Sequence, residues 1–217
     1  MSFRNREQAA ALLATRLAAY RGQAPLVLAI PRGAAPMARI IADALDGEMD
    51  VVLVHKLRMP GQPELAIGSV DETGQVYVGE YARGFGVSDE DLAQEKRVQL
   101  DTLRKRRALY SPVHPPIDPA GRIVIVVDDG IATGSTVLAA LRGLSLLGAT
   151  RRAVATPLAA REAIERLRSE TEWIAAGEIP VRFGAVGAHY ACFEPVSDEE
   201  LLRALAPAAP GGQGQEP

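Results

Sequence analysis

Two adjacent carboxylates, Asp128 and Asp129, are followed closely by Thr133, Gly134, Ser135 and Thr136. Side-by-side carboxylates accept hydrogen bonds from vicinal hydroxyls and also suit a divalent cation held by oxygen. Gly130 and Gly134 permit backbone conformations closed to other residues and let a ligand come close. The hydroxyl residues lead into helical spacing. A helix N-terminus offers unpaired N–H groups and a partial positive charge, and nearby hydroxyls add donors for a phosphate monoester. One short loop thus carries groups for a sugar diol and for a phosphate. It lacks the lysine that a P-loop needs, which argues against a nucleoside triphosphatase. A glycine turn with helix caps would explain Thr133–Thr136 but would leave the Asp pair without a reason.

Other residues could serve the same chemistry. Pro31, Arg32, Gly33 and Ala34 follow a short apolar run and precede helical spacing. Arg32 can pair with phosphate oxygens, and Gly33 lets backbone N–H groups turn toward them. Lys56 follows the apolar segment 50–55 (DVVLVH), with His55 read as packed at its end. His189, Tyr190 and Phe193 could stack on a ring and hydrogen-bond to it, and core packing explains them equally well. Cys192 is the single cysteine. It allows no intramolecular disulfide and reads as a small buried hydrophobe.

These residues need elements to position them. Residues 5–20 carry a helical stripe at Ala9, Leu12, Leu13 and Leu17, which Gly22 ends. The wholly apolar run 26–30 and the mainly apolar runs 50–55, 122–127 and 152–156 read as strands, the first buried on both faces. Helical spacing at 36–45, 135–147 and 161–169 alternates with them, and weaker strands are expected at 173–176 and 182–186. Strands alternating with helices predict an α/β fold, a parallel sheet flanked by helices, with ligands at the carboxyl ends of the strands. Residues 57–86 are rich in Gly, Pro and polar side chains and read as a long loop with a small hairpin at 75–78. Ser88 with Asp91 fits a capping box for a helix reaching Tyr110, whose basic end, 104–107, reads as a solvated face. Ser197 caps a last helix. The Ala/Pro/Gly/Gln-rich tail 207–217 is expected to be disordered.

Residues 126–136 (VVDDGIATGST) resemble the phosphoribosyl-pyrophosphate (PRPP) signature of type I phosphoribosyltransferases: an apolar run, two acidic residues, then a T-G-x-T turn. The chain looks closest to poorly characterised stand-alone phosphoribosyltransferase-domain proteins. The resemblance implies a Rossmann-like core at about 24–176, a hood from about 1–22 and 177–206, and a flexible lid at about 57–86, all in one domain. It implies that Asp128 and Asp129 bind ribose hydroxyls and that Gly130, Ala132, Thr133, Gly134, Ser135 and Thr136 hold the 5-phosphate. Arg32, Gly33 and Lys56 would then serve pyrophosphate, with Arg32, Lys56 and the Asp pair as the catalytic set. Residues 59–70 are the lid candidate, with Gly61 and Gly68 as hinges and Glu64 as a lid carboxylate. Base contacts would fall to His189, Tyr190 and Phe193. Hypoxanthine and guanine enzymes of the class carry aspartate where this chain has Ala132, which disfavours a 6-oxopurine.

The expected activity is Mg2+-dependent transfer of ribose 5-phosphate from PRPP to a nitrogen nucleophile, releasing pyrophosphate, as in nucleotide salvage. Asp128 and Asp129 would meet the metal indirectly, through PRPP or water. The alternative is a non-enzymatic PRPP-sensing regulator or accessory protein on the same fold. A chain of 217 residues with 47% hydrophobic and 24% charged side chains is an ordinary globular composition. A net charge of −3 argues against nucleic acid as the main partner. No apolar run is of signal-peptide or membrane-span type, so a cytoplasmic location is expected. A homodimer is the expectation carried over from the family.

Overall fold

Apolar strand segments too short to be helices stack side by side at the centre of the molecule. The computed structural model describes residues 2–78, 84 and 86–206, apart from the side chains of Pro63 and Glu64. Strands β1 (Leu26–Ala29), β2 (Glu48–Val51), β6 (Ile123–Val127), β7 (Arg151–Leu158) and β8 (Trp173–Glu178) form a five-stranded sheet in the order β2-β1-β6-β7-β8. Every pairing is parallel, with Leu28 beside both Asp50 and Val126, and Val126 beside Val154. The central strands β1 and β6 are apolar throughout because both faces are covered. Val27, Ala29, Ile125 and Val127 enter one core; Leu26, Leu28, Val124 and Val126 enter the other.

Helices α1 (Arg6–Arg16), α2 (Ala35–Ala44) and α6 (Asp198–Leu205) pack on the first face, and α4 (Ser135–Leu146) and α5 (Arg161–Leu167) on the second. Asn5 caps α1, its side chain accepting the Gln8 N–H at 3.0 Å. The helix ends at Arg16 rather than at residue 20, and a 3-10 turn over Ala18–Tyr20 carries the chain onward. Leu12, expected on the buried stripe, is 38% exposed, while Ala9, Leu13 and Leu17 are buried. The Ser197 cap of α6 forms as a capping box with Glu200. Residues 182–186 form no strand; the chain instead makes a 3-10 turn at Val186–His189.

The largest departure is the segment read as a loop. The apolar run 50–55 splits: β2 ends at Val51, and β3 (Val54–Met59) starts a second sheet with β4 (Gln62–Asp71) and β5 (Val76–Val78), antiparallel in the order β3-β4-β5. Gly61, at φ +74°, serves the turn between β3 and β4. Gly68 is a site of close strand approach instead of a hinge, since a Cβ there would lie 2.3 Å from the Tyr77 carbonyl oxygen. The side chain of Glu64, part of the 57–86 segment and the tail 207–217 lie outside the described residues.

Helix α3 (Asp89–Tyr110) has the expected Ser88–Asp91 capping box and packs on the antiparallel sheet. Its basic end is not uniformly solvated. Arg104, Lys105 and Arg106 are exposed. Arg107 turns inward to pair with Asp50 at 3.1 Å and Glu72 at 2.5 Å. Cys192 is exposed rather than buried.

Candidate active site

Strand β6 ends where the Asp pair begins, and the following loop is stitched to its neighbour. The Asp128 N–H donates to the Ala155 carbonyl at 3.1 Å, the Ile131 N–H to that of Leu158 at 2.9 Å, and the Ala160 N–H to that of Ile131 at 2.9 Å. Gly130 sits where a Cβ would be 2.4 Å from a Val186 methyl. Gly134, at φ +73°, takes the left-handed conformation that turns the chain into α4. The Thr133 and Ser135 hydroxyls lie 3.1 Å apart, and Arg166 on α5 donates to the Thr133 carbonyl at 2.9 Å. Ala132 and Thr133 are exposed and Ser135 and Thr136 half-buried. The first turn of α4 therefore sets N–H groups without intrahelical partners beside hydroxyls, the Ser135 N–H reaching Thr133 Oγ1 at 3.4 Å, the elements of an anion site.

The two carboxylates are not equivalent. Burial, and then the charge of neighbouring Asp129, push the Asp128 carboxyl up to about 7, against the pull of the Asp129 and Gly130 N–H groups. Asp129 is turned toward α1. Its Oδ2 accepts from Arg6 Nε at 3.0 Å and Nη2 at 2.7 Å. Arg6 is 8% exposed and also donates from Nη1 to the Glu194 carbonyl at 2.7 Å. Its guanidinium lies 3.9 Å from the centre of the Phe193 ring, which stacks at 4.8 Å on Tyr190. The Tyr190 hydroxyl donates to the Asp129 carbonyl at 2.8 Å. Gly33 closes the other side, where a Cβ would lie 2.0 Å from Asp129 Oδ2. Thus α1, the β1–α2 turn and residues 190–194 converge on one carboxylate.

Arg32 follows β1 as expected and is half-exposed, 3.3 Å from Asp198 in the first turn of α6. The Pro31–Arg32 peptide is cis. Lys56 does not follow β2; it lies within β3, opposite Ser69. The displacement keeps it near the motif. A cavity of about 370 Å³ brings Pro31 and Thr136, from the two motif loops, together with Lys56, Arg58 and Arg106. Three cations without a lining carboxylate make this a basic surface. His55 lines it too, half-buried, with Nδ1 2.9 Å from Gln99 Oε1.

Arg6, Arg58 and Arg106 were absent from the sequence-derived set. Arg6 had a signal. It falls at the head of the stripe Arg6, Ala9, Ala10, Leu13, all buried on α1. Of the three hood aromatics, Tyr190 is 3% exposed and its hydroxyl is engaged with the Asp129 backbone, so it braces the motif instead of offering itself to a base. His189 Nε2 lies 2.6 Å from the Phe183 carbonyl. Among the described residues no cluster of three or more His, Cys, Asp or Glu side chains could hold a metal. No helix among them is long and apolar enough to cross a membrane.

Known proteins resemble this chain over most of its length. The family model for the phosphoribosyl transferase domain matches residues 4–179. A Mycobacterium tuberculosis protein, provisionally named a phosphoribosyl transferase, is 35% identical over 204 residues, which cover 94% of this chain and 46% of that protein. The chain thus spans about half the length of the curated relatives it matches. The crystal structure of TT1426 from Thermus thermophilus is similar at TM-score 0.86 and 43% identity, covering 94% of this chain and 98% of that one. With a signature loop at the end of β6, a fold in which that loop meets α4, and a family match over most of its length, this chain belongs to the type I phosphoribosyltransferase family.

Proposed function

We propose that the chain transfers ribose 5-phosphate from PRPP to a nitrogen nucleophile and releases pyrophosphate. The observation that carries the reading is the basic cavity in which Thr136 of the signature loop and Pro31 of the β1–α2 turn meet Lys56, Arg58 and Arg106. The 5-phosphate would sit on the N–H groups and hydroxyls opening α4, and the ribose hydroxyls would donate to Asp128 and the remaining oxygen of Asp129. Pyrophosphate would lie toward the cationic wall. Those cations stabilise charge on the leaving group without themselves reacting.

The residues fit magnesium that arrives with the substrate's phosphates, sharing hard oxygen donors with Asp128, and not an ion held by protein ligands alone. Such an ion supplies charge neutralisation on the pyrophosphate oxygens. The acceptor would approach from the hood, where His189 and Phe193 keep exposed surface while Tyr190 does not. The β3–β4 hairpin, which carries Lys56 and Arg58 on β3, is the segment suited to cover the sugar.

Calorimetric titration with PRPP and magnesium tests the site, using wild type beside the Asp128→Asn/Asp129→Asn double variant. Binding by the wild type and none by the double variant is the expected result. Near-normal affinity in the folded double variant would overturn the assignment. A pyrophosphate-release screen against purine and pyrimidine bases then names the acceptor. Binding without release from any nitrogen acceptor would favour the PRPP-sensing regulator.

A further inference from the structure

An anion site at the start of α4 depends on which way the peptide between Thr133 and Gly134 faces. In a trans peptide the carbonyl and the N–H point in opposite directions. Fixing the Thr133 oxygen on one side therefore aims the Gly134 N–H at the other. Gly134, at φ +73°, makes this link easy to turn over, because without a Cβ it adopts positive and negative φ about equally well. Turned over, the link would meet an arriving phosphate with a carbonyl oxygen in place of an N–H. The glycine that shapes the loop thus leaves its polarity open.

Helix α5 closes that freedom. The Ile131 N–H and carbonyl are bonded to Leu158 and Ala160, on the segment that leads into α5. Ala163 lies against the glycine, since a Cβ on Gly134 would be 3.3 Å from that of Ala163. Three residues further along, on the same side of the helix, Arg166 Nη1 donates to the Thr133 carbonyl at 2.9 Å. Arg166 is exposed, and Glu162 stands four residues before it, at the spacing of a helical ion pair. Among the described residues Arg166 nonetheless pairs with no carboxylate, and its guanidinium is spent on the loop carbonyl. A hydrogen bond from a charged donor is stronger than one between neutral groups, so it holds the carbonyl more firmly than a backbone N–H would. The Gly134 N–H has no backbone partner among the described residues.

We propose that Arg166 is a positioning residue of the 5-phosphate site, holding the Thr133 carbonyl toward α5 so that the Gly134 N–H faces the phosphate. The inference rests on the PRPP reading of the signature loop and adds a residue that touches neither the substrate nor the reacting atoms. Arg166 acts on the polarity of the loop, while Gly134 gives it its shape.

Calorimetry on the full chain tests this with wild type, Arg166→Met and Arg166→Lys. Three probes are used: PRPP with magnesium, ribose 5-phosphate, and pyrophosphate with magnesium. Methionine keeps an unbranched stem and deletes the donor, and lysine restores a donor without the planar fork. Arg166→Met is expected to bind PRPP and ribose 5-phosphate at least tenfold more weakly, the scale of a lost charge-assisted hydrogen bond. It should bind pyrophosphate as wild type does, Arg166→Lys should recover part of the loss, and the thermal midpoints of both should stay near the wild-type value. Amide NMR supplies a readout that stability does not move. Ribose 5-phosphate should shift the Gly134 N–H downfield in wild type, and that shift should be lost in Arg166→Met. Undiminished sugar-phosphate binding in Arg166→Met, an equal loss for pyrophosphate, or a retained Gly134 shift would overturn the role of Arg166 and leave the PRPP reading standing. A wild type that binds neither PRPP nor ribose 5-phosphate would overturn that reading, and this inference with it.

Discussion

Replacing Arg6 with methionine keeps an unbranched apolar stem on α1 and deletes the guanidinium that Asp129, the Glu194 carbonyl and the Phe193 ring share. The ion pair is well covered, with side-chain exposures of 10% for Arg6 and 17% for Asp129. Removing one partner of a buried pair costs about 3–5 kcal/mol because the other charge is stranded. The residual exposure here lowers that to about 2–4 kcal/mol, and loss of the cation–π contact is included in the figure. For a chain of this size roughly 2–4 °C of thermal midpoint is lost per kcal/mol, so a fall of about 5–15 °C is expected. The stranded charge beside Asp128 makes the cost specific, and a double-mutant cycle isolates it. Urea denaturation of Arg6→Met, Asp129→Asn and the combined variant should give a coupling of about 1–3 kcal/mol, the double being less damaged than the sum of the singles. If the two effects add within about 0.5 kcal/mol, Arg6 does not hold Asp129 and the convergence on that carboxylate has no energetic content.

Two further outcomes bear on the same cluster. Gly33→Ala would drive a Cβ to 2.0 Å from Asp129 Oδ2, so the turn or the carboxylate must move. Stability should fall by about 1–3 kcal/mol, and calorimetry should show PRPP binding weakened more than tenfold. The raised Asp128 carboxyl predicts a pH dependence in the ligand-free chain. Its folded value of about 7 against an ordinary 3.8 means the folded state keeps a proton that the unfolded chain releases. This group's contribution to stability is therefore highest below about pH 4, falls as pH rises toward 7, and is level above that. The full shift would be worth roughly 4 kcal/mol, and solvent reaching the partly exposed site reduces it to about 1–2 kcal/mol. Asp128→Asn mimics the protonated form, so urea midpoints should show it more stable than wild type at pH 8 and equal to it at pH 4. Equal stability at both pH values would refute the strained carboxylate.

The parallel core was legible because strands buried on both faces have no polar residues to blur them: LVLA in β1 and IVIVV in β6 mark themselves. The signature loop stood out for a chemical reason: a glycine turn with helix caps accounts for its glycines and hydroxyls, and the adjacent Asp pair is what such a turn leaves without a reason. Hydropathy could not show where one sheet ends and another begins. Val52 and Leu53 link β2 to β3 and are as apolar as the strands on either side, so DVVLVH reads as one strand and carries Lys56 to the wrong address. In β4, Gly68 interrupts the alternation because Tyr77 crowds it from the next strand, a contact that exists only once the sheet has formed.

The inward arginines teach something different. Arg6 and Arg107 look like surface charges by type, yet each lies on the apolar stripe of its helix, Arg6 with Ala9 and Leu13, and Arg107 with Leu103 and Tyr110. In Arg6 the position is doubly odd, because a cation in the first turn of a helix faces the unfavourable end of the dipole. A residue that violates both the burial pattern and the helix electrostatics has a partner elsewhere, and the nature of the violation names its charge. For Arg6 that partner is Asp129, on the far side of the chain, within the pair of carboxylates singled out first. The composition of the N-terminal helix and the chemistry of the signature loop are thus two halves of one constraint: α1 must seat on the first face of the sheet so that Asp129 is paired with Arg6, while Asp128, buried beside the Asp129 charge with no cation of its own to pair with, carries the electrostatic cost of the site.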